Sequence, residues 1–333
     1  MKKRIISLLL AMSLLVLGGC QSQSDNNEKV ETGTEKQTIR ITTPNAPNSI
    51  PLFYMKENNV LGDNIQLDIA IHKSGQEAAA KVIKGDIDMA NFGVQEAANL
   101  YNEGVGVRLM DVSTWATFEI LTVRDDVKTW EDLKGKKLWI GDKGGPIDYL
   151  LQIVLKANNI NLTDLEVNRI STSELTQMVV SDIKDIDLFV LREPFISQVK
   201  MKNKEITTAF DLGNEYEAAY NIKIPQGGTV LTNEFLESNE EIVALFQEEY
   251  KKAIEWIKNN PEEAGELGAK YMQGPNAGVL ASAVKNMDME FHSIEDSKEV
   301  LETYFNLALE IDSTMLEGVL PDEGFYEKLF ESK

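Results

Sequence analysis

A chain of 333 residues, 43% apolar and 26% charged, can bury one large core or two smaller ones. Its formal net charge of −21 argues against nucleic-acid binding, because nothing beyond the extreme N-terminus supplies a basic footprint. One cysteine and two histidines exclude disulfides and cysteine-rich redox or zinc motifs, and argue against a transition-metal site.

Lys2, Lys3 and Arg4 form a positive start, residues 5–17 are apolar, and Leu17-Gly18-Gly19-Cys20 follows. The apolar run is too short to span a bilayer, which takes about 20 residues. It suits a secretory signal instead. Small residues just before the only cysteine read as a lipoprotein cleavage box, so residues 1–19 are expected to be a signal peptide and Cys20 the lipidated first residue. Dual acyl chains there would hold the protein stably on the outer face of the cell membrane, where one chain anchors only marginally. Residues 20–37, polar apart from one valine, cannot offset the entropy of their own ordering and read as a flexible tether.

The folded part begins near Thr38. "TIRIT" (38–42) predicts a strand, and a loop carrying Asn45 and Asn48 leads to a helix with Leu52, Phe53 and Met55. "IQLDIAI" (65–71) predicts a second strand, Ser74-Gly75-Gln76 a helix start, and "VIKGDIDMANFG" (82–93) a helix end, a tight turn and a buried strand. The same order returns 99 residues later. "KLWIG" (137–141) is followed by Gly144-Gly145-Pro146. A helix comes next, with Ile147, Leu150, Leu151 and Val154 on one face. Then come "LEVNRI" (165–170), Ser171-Thr172-Ser173 and "SDIKDIDLFVLR" (181–192). Alternating strands and helices imply parallel sheets, so the chain is expected to be α/β with two similar lobes. The β-rich runs 118–126 and 227–234 are the candidates for the strands that carry the chain out of the first lobe and back. Helices are expected from Asn239 to about 259, with Ile242, Leu245, Phe246, Ala253, Ile254 and Ile257 buried, then over 262–272, 276–288, 296–312 and 322–331.

In open parallel sheets ligands bind outside the carboxyl ends of the strands. That rule selects Asn45, Asn48, Ser74, Gly75 and Phe92 in the first lobe, and Gly144, Gly145, Arg192 and Glu193 in the second. Gly144-Gly145-Pro146 could present backbone N–H groups to an acceptor or be a plain turn. Arg192 could clamp an anion or form a surface ion pair. Trp115, near the first crossing, could stack on a ligand or fill the hinge. Asp88 and Asp187 fall at the opposite strand ends and read as turn residues.

The cleavage box, "ITTPNAPNSIPLFYMKENN", "VIKGDIDMANFG", "WEDLKGKKLWIG" with "KGGP", "REPF" and "AIEWIKNNPEEAGEL" together resemble the solute-binding lipoproteins of ABC importers. The group in question is the nitrate, sulfonate, taurine and thiamine-precursor (SsuA/THI5-like) class. The resemblance implies a two-lobed type II periplasmic-binding-protein fold with two crossover strands, lobe 1 being 38–120 with 231–333 and lobe 2 being 121–230. It implies a monomer without cofactor or catalysis that hands a small molecule to a membrane permease driven by an ATPase. The Glu-Pro-aromatic motif of the class falls on Glu193 and Phe195. The ligand would be a sulfonate, a nitrate-like anion or a nitrogen heterocycle, and the excess of aromatic and acidic candidates leans towards a neutral or cationic organic molecule. A surface-anchored sensor or adhesin is the alternative; an enzyme is not expected, since no nucleophile, metal or phosphate-loop motif occurs.

Overall fold

The computed structural model describes residues 36–115, 118–141, 146–182 and 185–330. The expected signal peptide, Cys20 and nearly all of the tether lie outside these residues, as do Gly144 and Gly145. In chain order the first stretch contains β1 (Gln37–Pro44), α1 (Ile50–Glu57), β2 (Ile65–His72), α2 (Gly75–Ile83), β3 (Met89–Gly93), α3 (Val94–Asn102), β4 (Val107–Leu109) and β5 (Asp111–Trp115). The second contains β6 (Phe118–Thr122), β7 (Lys137–Ile140), α4 (Pro146–Ala157), β8 (Glu166–Arg169), α5 (Thr172–Val180), β9 (Leu188–Arg192), α6 (Phe195–Lys202), β10 (Thr207–Asp211) and α7 (Leu212–Tyr220). The third contains β11 (Pro225–Thr232), α8 (Asn233–Ser238), α9 (Glu240–Asn259), α10 (Pro261–Tyr271), α11 (Ala277–Asn286), β12 (Asp288–Ser293) and α12 (Ile294–Ile311).

Two sheets result. The first runs β2-β1-β3-β11-β5-β12, with β4 alongside β11; the second runs β8-β7-β9-β6-β10. In each, three parallel strands are followed by an antiparallel one, β11 on β3 and β6 on β9. The internal repeat is therefore structural: β3 and β9 occupy matching positions 99 residues apart. Both are almost wholly buried, as expected for central strands covered by helices on both faces. Ser74 and Ser171 cap α2 and α5 by accepting from the backbone N–H of Glu77 and Glu174. Ile147, Leu150, Leu151 and Val154 are all buried on α4.

The chain leaves the first sheet after Trp115, joins the second at Phe118, and returns between Tyr220 and Pro225. The expected lobe boundaries, 120/121 and 230/231, fall inside β6 and β11. Each of these strands pairs within a single sheet, β6 with β9 and β10, β11 with β3, β4 and β5. The changes of sheet thus lie just ahead of them. Beside the crossings one apolar core is continuous between the lobes: it includes Trp115, Tyr304 and Phe305 as well as Phe118, Leu150 and Tyr216.

Two helix expectations need correction. On α9 the buried stripe is Val243, Phe246, Tyr250, Ala253, Ile254 and Ile257, while Ile242 and Leu245 are half-buried; the 3.6-residue period centres the face on Val243 instead. Of the helix expected over 322–331, the described residues 322–330 form no α-helix. Pro321 and Gly324 interrupt them, and one 3₁₀ turn, Glu323–Tyr326, buries Phe325 and Tyr326. Asp111, at the start of β5, is fully buried, with Ser113 and Thr229 as the polar groups beside its carboxyl. Burial raises this carboxyl from 3.8 to about 7, with Ser113 and Thr229 only partly opposing it.

Candidate ligand-binding site

A cleft of about 750 Å³ lies between the two sheets, at the carboxyl ends of β1, β2 and β3 on one side and of β7 and β9 on the other. Its size is that of small-molecule sites in general. Asn45, Asn48, Ser74, Gly75, Phe92, Arg192 and Glu193 all line it, so residues far apart in sequence converge as the strand-end rule requires. Asp88 and Asp187 sit at the opposite ends. Asp88 accepts from the Arg40 backbone N–H at 2.7 Å and from Nη2 at 2.6 Å, and Asp187 pairs with Arg124 at 3.3 Å.

Several of these residues are occupied with the protein itself. Asn45 braces the loop after α10, its Nδ2 donating to the Gln273 carbonyl at 2.7 Å and its Oδ1 accepting from the Gln273 N–H at 3.1 Å. Glu193 is buried and accepts from the Ser197 N–H (3.0 Å), Ser197 Oγ (2.9 Å) and Asn286 Nδ2 (3.0 Å). Burial pushes its carboxyl above the usual range despite those donors. Trp115 does not line the cleft. Its indole N–H donates to the Glu290 carbonyl at 2.9 Å and its ring meets His292 edge-on at 4.7 Å. It fills the joint beside β12 instead, so the expectation that Trp115 belongs to the ligand-binding residues is corrected.

Arg192 ends β9 at the cleft wall. Its guanidinium stands over the Phe195 ring at 6.0 Å and has no hydrogen bond or ion pair with any described residue. Removal from water draws it below its usual value.

Other lining residues escaped the sequence reading. His72 ends β2, where Nδ1 meets Thr42 Oγ1 at 3.2 Å and the ring stacks against Phe92 with centroids 6.4 Å apart. Burial lowers this imidazole to about 4, so it is neutral at neutral pH. Asn91, Thr114 and Gln226 add amide and hydroxyl groups to the wall.

Glu96, in the first turn of α3, is the largest omission. Its Oε2 is shielded from solvent and has no partner, and burial raises the carboxyl. Gly93 leaves that oxygen its place, because a Cβ there would make the end of the Glu96 side chain shift. An acid in a first helical turn reads from sequence as a complement to the helix dipole, which hides its place in the cleft. Among the described residues no group of three or more His, Cys, Asp or Glu is placed to hold a metal ion, and no helix is long and apolar enough to cross a membrane.

Comparison with solved structures places this geometry. The chain superposes on an ABC transporter protein from Parabacteroides distasonis with a TM-score of 0.75 and 21% identity, covering 88% of this chain and 99% of that one. For the periplasmic aliphatic sulphonate binding protein SsuA from Escherichia coli the TM-score is 0.73 at 17% identity, covering 89% and 94%. For the periplasmic nitrate-binding protein NrtA from Synechocystis the values are 0.57 and 13%, covering 79% and 74%. Likeness at these identities is likeness of fold: two α/β lobes of the type II periplasmic-binding-protein kind, joined by two crossings. No curated protein matches the chain. The sequence profile of the family described as NMT1/THI5 like matches residues 47–264, well over half of the chain, and the protein belongs to that family.

Proposed function

We propose that the protein is an extracytoplasmic solute-binding lipoprotein of an ABC importer, held on the cell membrane by lipid on Cys20. It captures a small organic molecule between its lobes and delivers it, as a monomer, to a membrane permease driven by an ATPase. The observation that carries the reading is the cleft, walled by equivalent strand ends of two repeated lobes and containing charged groups without partners. The names of the structural relatives, a sulphonate binder and a nitrate binder, agree with it. In this reading lobe 1 comprises residues up to Trp115 and from Pro225 onward, lobe 2 the residues between. The lobes close by movement at the crossings, an established mode of domain motion.

Native mass spectrometry of the full chain is expected to find a co-purified small molecule. A bound ligand at ~100 times its Kd should add about 2.7 kcal/mol of stability, a clear melting shift in a compound screen. A protein that retains nothing and responds to no compound would refute the reading. Replacing Cys20 with Ala should release the processed protein from the membrane fraction; its retention there would refute the anchor.

A further inference from the structure

The charges of the cleft can be taken one by one. Its titratable lining residues, among those described, are His72, Lys73, Glu96, Arg192 and Glu193. His72 is buried and uncharged at neutral pH. Lys73 is exposed at the mouth. Glu193 is satisfied by Ser197 and Asn286. Two charges remain, one of each sign and one from each lobe. Glu96 lines the cleft with a carboxyl group whose Oε2 has no hydrogen-bond partner among the described residues, and Arg192 lines it with a half-buried guanidinium that has the Phe195 ring beside it. They line the same cavity, yet they do not pair with each other.

Two groups of opposite charge type lining one cavity would ordinarily be brought together, since a recessed ionisable group left without a partner loses hydration that nothing replaces. Here the fold keeps them on separate walls. Gly93 leaves room for the Glu96 carboxylate where a side chain would displace it, and Arg192 is fixed at the end of a central strand. A ligand bearing one charge would satisfy one of them and leave the other stranded. A ligand bearing both would satisfy the pair, with Phe92, Phe118 and Phe195 flanking an apolar middle.

We propose that the ligand is a zwitterion, whose cationic nitrogen pairs with Glu96 of the first lobe while its anionic group is clamped by Arg192 of the second. The inference rests on the solute-binding reading and narrows it to a substrate class. It also gives closure a reason, because the molecule completes its contacts only when both walls reach it.

The test uses matched triplets on the full chain. Each triplet holds an ω-amino acid, an aminoalkanesulfonate or an aminomethylbenzoate together with its N-acetyl form, which is anionic only. The third member is its ester or the plain amine, which is cationic only. Melting shifts rank the panel and calorimetry gives affinities. Within a binding triplet the zwitterion should be tighter than either relative by roughly tenfold or more, the scale of one charge-assisted contact. Glu96→Gln should erase the preference over the N-acetyl form and keep the preference over the ester; Arg192→Gln should do the reverse.

The proposal is overturned if a singly charged or neutral compound binds tightest, if no zwitterion binds, or if both variants weaken all three members alike. Should either variant fail to fold, the wild-type ranking alone decides. Acid extraction of the purified protein separates the two levels of inference. A singly charged molecule released from it overturns the zwitterion and leaves the solute-binding reading standing. No released molecule together with no binding compound overturns both.

Discussion

Two recessed carboxylates border the cleft, and they are held in opposite ways. Glu193, on the second lobe, accepts three hydrogen bonds from Ser197 and Asn286. Glu96, on the first, presents an oxygen with none. Burial raises both carboxyls, so exposure and titration do not tell them apart; their partners do. Glu193 belongs to the frame, tying α6 to α11. Glu96 lines the cleft instead, and in the proposed reading its partner is the ligand. The contrast also separates Glu96 from Asp111, which is buried beside Ser113 and Thr229 and lies in the first sheet without lining the cleft.

The largest test of this contrast uses Asp111. A carboxyl whose folded-state pKa is raised binds its proton more tightly in the native state. It therefore erodes stability as pH climbs from its unfolded value to its folded one, here from 3.8 to about 7. The advantage of Asp111→Asn over wild type in urea unfolding should grow across that window, on the order of 4 kcal/mol in all. A flat difference would mean that Ser113 and Thr229 offset the burial of Asp111 in full.

A somewhat smaller effect is expected at Glu193→Ala, which strands the Ser197 and Asn286 donors. Loss of about 2 kcal/mol is expected in ligand-free unfolding, whereas Glu96→Gln should cost nothing or stabilise slightly. Equal losses at the two positions would collapse the comparison. Smaller again is Asp88→Asn, which weakens the link between buried Asp88 and exposed Arg40 and should cost about 1 kcal/mol. Its counterpart Asp187→Asn, in an exposed pair with Arg124, should cost less than about 0.5 kcal/mol. Neither should alter a ligand-induced melting shift, since both lie at the strand ends away from the cleft.

The repeat was legible because buried parallel strands demand continuous apolar runs, and "MANFG" and "LFVLR" carry them in the same place relative to their Asp-containing turns. The strand-end rule then reached Ser74, Phe92, Arg192 and Glu193 without any coordinates. What it could not reach was Glu96, since a first-turn acid on a helix looks alike whether it faces water or a ligand. Trp115 misled for a related reason. An aromatic residue near a crossing can stack on a solute or seal the joint, and the choice depends on β12, a strand almost 180 residues later that supplies the Glu290 carbonyl and His292. The short β4, β5 and β12 were also overlooked, because their pairing partners are remote and their sequences lack a clean alternation.

The bonds between α6 and α11 bear on timing. Glu193 and Ser197 meet Asn286, and Ser197 Oγ meets Ser282 Oγ at 3.0 Å, with one helix packed on each lobe. These contacts join the two lobes beside the cleft. In the proposed role, opening would break them before a solute enters, and again before it leaves. Each such bond adds about 1 kcal/mol to the opening step, so entry and escape are slowed together while affinity is left to the cleft walls. A captured molecule would then be retained long enough for the carrier to find its receptor, and release would fall to whatever surface pulls α6 and α11 apart.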